Sequence, residues 1–351
     1  MNTKEFLIKL CNSRSVSGHE SDVVQLIESA FSKYSDSIKV DNLGNVIILK
    51  KGKNNISNSK AMIAGHMDEI GLVVKSIEEN GFIKFTNIGG IDPRTILSQE
   101  VTVHGTKDLF GVIVSKPPHL QEESENEKAL KMDELYIDLG YDNNTVKNYV
   151  NIGDIITINR EIKELRGDRL AGKSLDDKAG IASMYECIKE LSKIEHELDI
   201  YFVCTVQEEV GLRGATTSAY KINPDFGVAI DVGFASTPEL PKKHTIDMGM
   251  GPGITIGGNI HPKLREKLVE TAKEYNIPFQ YEVAPGGIGT DANAMQITRE
   301  GIPTLNLSIP LRYMHTSVEV VDMKDIKNTA KLLAFFIASI TSDNLEGLLC
   351  Y

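Results

Sequence analysis

The sequence predicts an α/β fold with a predominantly parallel mixed sheet, interrupted by a small β-rich insert. Continuous apolar runs at Ala61–Ala64, Ile200–Val206, Phe226–Ile230 and Pro303–Leu307 are of the kind buried on both faces of a sheet. Stretches with helical periodicity lie between and around them. From about Gly71 to Leu165 the pattern changes to short β-rich runs separated by turn signals. The expected division is 1–70 with 165–351 as the α/β domain, and 71–164 as the insert.

The first stretch reads as helical. Ser17-Gly18-His19-Glu20 has the spacing of a capping box, and Val23, Val24, Ile27, Ala30 and Phe31 then recur at helical spacing. Leu43-Gly44-Asn45 turns into the strand Val46–Leu49, and a polar loop, Asn54 to Lys60, leads to Ala61–Ala64. In the insert, strands are expected at Leu72–Val74, Phe82–Phe85, Val101–Val103, Gly111–Val114 and Ile155–Ile158, with Asn80-Gly81 as a hairpin turn. Such a series suggests a small barrel or sandwich. Gln121 to Glu134 is charged and reads as a solvated loop. After Gly172, Ile181, Met184, Tyr185, Ile188 and Leu191 mark one face of a helix. Further helices are expected at Pro262–Tyr275, Ala292–Arg299 and Met323–Ile340.

Composition narrows the function. The 351 residues carry 38 Lys and Arg against 49 Asp and Glu, a net charge of −11. That balance disfavours nucleic-acid binding through phosphates and docking on anionic lipid. No apolar run approaches the ~20 residues that span a bilayer, and the charged start, Met-Asn-Thr-Lys-Glu-Phe, is unlike a signal peptide. Cys11, Cys187, Cys204 and Cys350 form no Cys-x-x-Cys pair and read as reduced thiols of a cytoplasmic protein.

Polar clusters fall at the ends of the apolar strands, where open α/β sheets place their ligands. In Gly65-His66-Met67-Asp68-Glu69, residues two apart share a face of an extended chain, so His66 and Asp68 project together. His66 reads as a structural histidine, or as a metal ligand whose second nitrogen is held by a carboxylate. In Ser174-Leu175-Asp176-Asp177-Lys178-Ala179-Gly180 the aspartates read as helix caps, or one of them as a carboxylate shared by two ions. Gln207-Glu208-Glu209-Val210-Gly211 places two glutamates after the most apolar strand, where they are costly unless paired or metal-bound. Alternation on an extended chain assigns one to metal and the other to protons. Asp231 follows Phe226–Ile230, and His315 lies in Arg312-Tyr313-Met314-His315-Thr316 beyond the last strand region. Together these are the nitrogen and oxygen donors of a hydrolytic two-metal site, whose ions sit ~3.5–4 Å apart around a shared carboxylate.

These motifs, together with Lys116-Pro117-Pro118-His119-Leu120 and Gly289-Thr290-Asp291-Ala292, resemble in order those of the TET-type dinuclear metallo-aminopeptidases. That family includes glutamyl aminopeptidases and proteins labelled as cellulases or endoglucanases. The resemblance implies a zinc-peptidase-like α/β domain with a PDZ-like β-barrel insert, assembled as a tetrahedral dodecamer built from dimers. It implies that His66 and Asp231 hold one metal, that Glu209 and His315 hold the other, and that Asp176 bridges them. Glu208 would be the general base and Asp68 would orient His66. Lys178 stands where the family commonly has arginine, and Ile288 where it often has glycine.

The expected activity is therefore release of N-terminal residues from short peptides, with two divalent ions per subunit. Zinc, cobalt and manganese all suit such donors. The same scaffold also accommodates a deacylase or other amidohydrolase. A glycoside hydrolase would need two carboxyl groups flanking a sugar bond and no metal. A binding protein on a decayed scaffold is disfavoured because every expected ligand and the base are present.

Overall fold

The computed structural model describes residues 1–53, 55, 58–120, 129–238 and 240–350. Helices α1 (Thr3–Asn12) and α2 (Ser21–Phe31) precede strands β1 (Ser37–Val40), β2 (Val46–Lys50) and β3 (Lys60–His66). Next come β4 (Gly71–Ile77), β5 (Ile83–Ile88), helix α3 (Pro93–Ile96), β6 (Glu100–His104) and β7 (Asp108–Val114). Strand β8 (Tyr136–Asp138), helix α4 (Asn143–Tyr149) and β9 (Ile155–Ile158) complete that stretch. The chain continues through β10 (Lys163–Leu165), β11 (Arg169–Gly172), α5 (Leu175–Leu191), β12 (Asp199–Thr205), α6 (Arg213–Ile222) and β13 (Phe226–Phe234). It ends with β14 (Gly253–Ile256), α7 (Pro262–Glu274), β15 (Gln280–Val283), α8 (Asp291–Gln296), β16 (Thr304–Leu311), β17 (Glu319–Asp322), α9 (Met323–Ser339) and α10 (Ser342–Leu349).

The main sheet has the order β1-β2-β12-β3-β13-β16-β14-β15. Its centre, β12-β3-β13-β16, is parallel, while β2 and β14 pair antiparallel with their inner neighbours. Period-two alternation explains why the central strands are apolar throughout. Ala61, Ile63, Ile200, Phe202, Phe226 and Val228 pack on one face, with α1, α2, α5 and α9. Met62, Ala64, Val203 and Ala229 pack on the other, with α6 and α8. Covering both faces leaves the ends of the strands open. Because the four central strands are parallel, their C-terminal ends lie along one edge, and there the polar clusters meet.

Strands β4-β5-β8-β7-β6-β9 close into an antiparallel barrel with its own apolar core, including Leu72, Val74, Phe85, Val103 and Ile156. The barrel, not a sandwich, is what forms. Asn80-Gly81 makes the expected turn, with Gly81 N–H donating to the Glu78 carbonyl and Glu78 N–H to that of Phe82. Two short helices, α3 and α4, were not legible in the strand-rich pattern. Residues 121–128 of the charged stretch lie outside the described residues; Asp133, further on, is exposed and pairs with Lys75 at 3.0 Å.

Several expectations are corrected. The capping box at Ser17–Glu20 does not form, although α2 does. Tertiary partners take both side chains: Ser17 Oγ donates to Asp68 Oδ2 at 2.6 Å, and Glu20 Oε1 accepts from the Gly18 and Gln207 N–H groups at 2.8 and 3.1 Å. The helix expected at Ala292–Arg299 runs from Asp291 to Gln296, and Arg299 is left-handed at φ 56°. Strand β13 continues through Asp231 to Phe234. Among the described residues, no single helix is long and apolar enough to cross a membrane.

Candidate metal centre

The seven residues singled out in the sequence converge at the C-terminal edge of the sheet. His66 is the last residue of β3 and is 2% exposed. Asp231 lies within β13, beyond the stretch Phe226–Ala229 that pairs with β3, so its side is open to the cavity. Asp176 is extended, at φ −78° and ψ 111°, just before the regular part of α5. Glu208 and Glu209 follow β12, and His315 sits four residues past β16 at φ 60°. His66, Asp176, Glu208, Glu209, Asp231 and His315 all line one cavity of about 300 Å³.

Asp176 is the centre of the arrangement. Its Oδ1 lies 3.1 Å from His66 Nε2 and its Oδ2 3.3 Å from His315 Nε2. Two groups of donor atoms lie within 4.8 Å of one another: His66 with Asp176 and Asp231, and Asp176 with Glu209 and His315. They share Asp176. Its neighbour does a different job, for Asp177 Oδ1 accepts the Gly180 N–H at 3.0 Å. The capping reading therefore holds for one aspartate and the cavity-facing reading for the other.

Glu208 and Glu209 both face the cavity, so strand alternation does not separate them. The strand has already ended, with Gln207 left-handed at φ 55°. What distinguishes the two is reach. Glu209 Oε1 is 3.5 Å from His315 Nε2, whereas Glu208 approaches His66 only to 4.0 Å and belongs to neither donor group. Asp68 fixes this turn. Its Oδ1 accepts from Glu208 N–H at 3.0 Å and its Oδ2 from Glu209 N–H at 3.2 Å. The same carboxylate lies 3.5 Å from His66 Nδ1, and the Asp68 carbonyl is closer, at 3.1 Å.

The electrostatics call for positive charge. Burial pushes Glu208 up to about 10 and Glu209 up to about 7. Burial likewise holds Asp231 well above the usual carboxylate range. Asp176 goes the other way: burial opposes its charge, but the two imidazoles keep it below the ordinary value. On His315 the Asp176 carboxylate raises the pKa to about 9. Carboxylates crowded in this way are not all ionised without added cations. Oxygen and imidazole donors in two adjoining sets fit divalent ions.

The profile described as M42 glutamyl aminopeptidase matches residues 44–332. The chain belongs to the M42 glutamyl aminopeptidase family. It is accordingly a metal-dependent aminopeptidase. A lysyl aminopeptidase from Pyrococcus furiosus is 40% identical over 333 residues, 93% of this chain and 94% of that protein. An aminopeptidase structure from the archaeon Desulfurococcus kamchatkensis superposes with a TM-score of 0.91 at 37% identity, covering 99% of this chain and 98% of the other. The Pyrococcus horikoshii TET1 peptidase, described as assembling into a tetrahedron or a large octahedral shell, gives 0.85 at 30% identity, covering 97% of this chain and 100% of that one.

Other residues of this M42 aminopeptidase shape the site, and of these Glu319 and Gly90 carried no sequence signal. Glu319, at the start of β17, accepts from the Leu175 and Asp176 N–H groups through Oε2 and from the His315 N–H through Oε1. Gly90, in the barrel segment after β5, lies against His315: a Cβ there would come within 2.9 Å of Nδ1. Beneath the site, buried Glu69 pairs with Lys173 and with the fully buried Lys178, whose Nζ is 3.8 Å away. Each of these contacts joins distant parts of the chain, which is why spacing could not reveal them.

Proposed function

We propose that this M42 aminopeptidase releases N-terminal residues from short peptides through two divalent ions and a glutamate base. The observation that carries the reading is the pair of donor groups meeting at Asp176. His66 and Asp231 would hold one ion, Glu209 and His315 the other, and Asp176 would bridge them. When bound, such ions acidify a water and polarise the scissile carbonyl. Zinc, cobalt and manganese suit these donors.

Glu208 lines the cavity without joining either donor group, so its carboxylate is free for proton transfer. It would take a proton from the attacking water and return it to the leaving amine. Asp68 would keep Glu208 and Glu209 in place through their N–H groups and hold the Nδ1 side of His66. The surrounding carboxylates would receive the substrate's α-amino group, which favours an aminopeptidase over a deacylase. A glycoside hydrolase gains no support, since its two carboxyl groups would work without ions.

We further propose that residues 1–70 and 165–351 form the catalytic domain, with 71–164 as an insert serving assembly and access. A homo-oligomer is part of this reading, supported by the described assemblies of the P. horikoshii relative. A tetrahedral dodecamer built from dimers is its specific form. A cytoplasmic location accords with three buried free thiols, Cys11, Cys187 and Cys204. The names of relatives differ in the residue released, lysyl for the P. furiosus protein and glutamyl for the family, so this chain's own pocket has to decide.

The role of Glu208 is tested by Glu208→Gln. Activity should fall roughly 10²–10⁴-fold while elemental analysis still finds both ions. Loss of metal in parallel with activity would make Glu208 a ligand and overturn the assignment.

A further inference from the structure

The turn that presents Glu208 and Glu209 is held by side chains. Each of its backbone N–H groups in succession has a side-chain acceptor. Val206 N–H donates to Asn45 Oδ1 at 3.0 Å and Gln207 N–H to Glu20 Oε1 at 3.1 Å. Glu208 and Glu209 N–H go to the two oxygens of Asp68. Asp68 lies inside the site, beside His66. Glu20 comes from outside it, as the buried residue that immediately precedes α2.

The segment that carries Glu20 is stitched to the end of β3. Glu69 N–H donates to the Ser15 carbonyl at 2.9 Å, and Ser17 N–H to that of Glu69 at 3.2 Å. Ser17 Oγ donates to Asp68 Oδ2 at 2.6 Å. Residues 15–20 therefore brace two strand ends, the one after β3 that bears Asp68 and the one after β12 that bears Gln207. Glu20 makes the second connection.

Gln207 depends on it. Its φ of 55° is left-handed, a conformation costly for a residue with a Cβ and kept only where the surroundings fix it. The Gln207 carbonyl accepts from Arg213 N–H at 3.3 Å, and Glu20 takes the N–H. Without that acceptor the Gln207 peptide is released toward the extended region, and the side chain after it swings away from the cavity. The two glutamates respond differently. Glu209 would stay tied by its ion, whereas Glu208 binds none, so its carboxylate goes where the turn puts it.

We infer that Glu20 is a positioning residue for the reaction: through the Gln207 N–H it aims the Glu208 carboxylate at the water it deprotonates. The inference rests on the reading of Glu208 as the base and deepens it by naming what holds that base in place.

The test uses full-length enzyme supplied with cobalt and the aminoacyl p-nitroanilide that wild type cleaves fastest. Glu20→Ala should lower kcat roughly 10–100-fold, the effect of a misplaced catalytic group. KM should stay within about threefold, and elemental analysis should find both ions. Glu20→Gln should recover all but about threefold, because its amide oxygen accepts the same N–H groups of Gly18 and Gln207. In a Glu208→Gln background, Glu20→Ala should cost less than about threefold more, since the group it positions is already disabled. Glu20 lines a cavity of about 550 Å³ with Val24, Leu43 and Val206, so solvent can replace the shortened side chain. Should circular dichroism show Glu20→Ala unfolded, Glu20→Met keeps the stem without the acceptor and is judged by the same outcomes. A kcat within threefold of wild type, an equal loss in Glu20→Gln, a full further loss in the Glu208→Gln background or departure of the ions would each overturn the assignment. Those results leave Glu208 as the base provided Glu208→Gln is itself inactive. Wild-type activity in Glu208→Gln would refute that reading, and the assignment with it.

Discussion

Glu319 offers a sharp test of how the metal centre is held together. Its carboxylate joins two segments that each bring a proposed ligand: Asp176 ahead of α5, and His315 beyond β16. Oε2 accepts from Leu175 and Asp176 N–H at 2.8 and 3.2 Å, and Oε1 from His315 N–H at 2.9 Å. Glu319→Gln preserves volume but turns one oxygen into an NH₂ donor. Facing His315, that donor removes one hydrogen bond; facing α5, it removes two. A bond to a charged group contributes about 1.5–3 kcal/mol, and a backbone N–H left unpaired in the interior costs a comparable amount. Destabilisation of about 2–4 kcal/mol follows if the lower-cost orientation is taken. Part of it should appear in binding, because Asp176 and His315 would lose their common anchor. At 1.4 kcal/mol per tenfold, roughly 10–100-fold weaker affinity is expected at the Asp176–Glu209–His315 group. Calorimetric titration of metal-free protein with cobalt would measure this, and thermal unfolding in EDTA would give the stability change separately. Wild-type affinity at both sites together with an unchanged Tm would refute the reasoning.

Three further outcomes are expected. Asp176→Asn should reduce occupancy of both ions whereas His315→Ala empties mainly one, and full occupancy in Asp176→Asn by elemental analysis would remove Asp176 as the bridge. Gly90→Ala, which sets a Cβ 2.9 Å from His315 Nδ1, should displace that imidazole and lower affinity at the site it serves more than at the His66 site; identical titrations would show that the barrel segment yields. For Glu69, burial opposes ionisation but Lys173 and Lys178 prevail and lower its pKa from 4.5 to about 2. A depressed folded-state value means stability that is present above about pH 4.5 and lost as pH falls toward 2, about 3 kcal/mol in all. Denaturant unfolding in EDTA should therefore show Glu69→Gln well below wild type at pH 7 and close to it only at about pH 2 and below, and an equal gap at both would contradict this.

The sequence by itself determined the α/β core, the β-rich insert and the candidate ligands. It could do so because these features are written in short-range pattern. Runs such as Phe226–Ile230 are apolar at every position because both faces are covered, and a polar residue directly after such a run marks the end of a strand. The resemblance of the ordered motifs then assigned them roles.

Only the tertiary structure decided how those roles are kept apart. Strand alternation was the wrong reason for separating Glu208 from Glu209, because Gln207 breaks the strand and Asp68 holds both glutamates facing the cavity. Ser17 and Glu20 have the spacing of a capping box, yet each spends its side chain on a partner far along the chain. Glu319 and Gly90 gave no sequence signal at all. Their importance comes from β17 lying beside α5 and the barrel touching His315. Local spacing records which face a residue shares with its near neighbours. Contacts between distant segments are set by the order in which strands assemble, and that order is a property of the folded chain.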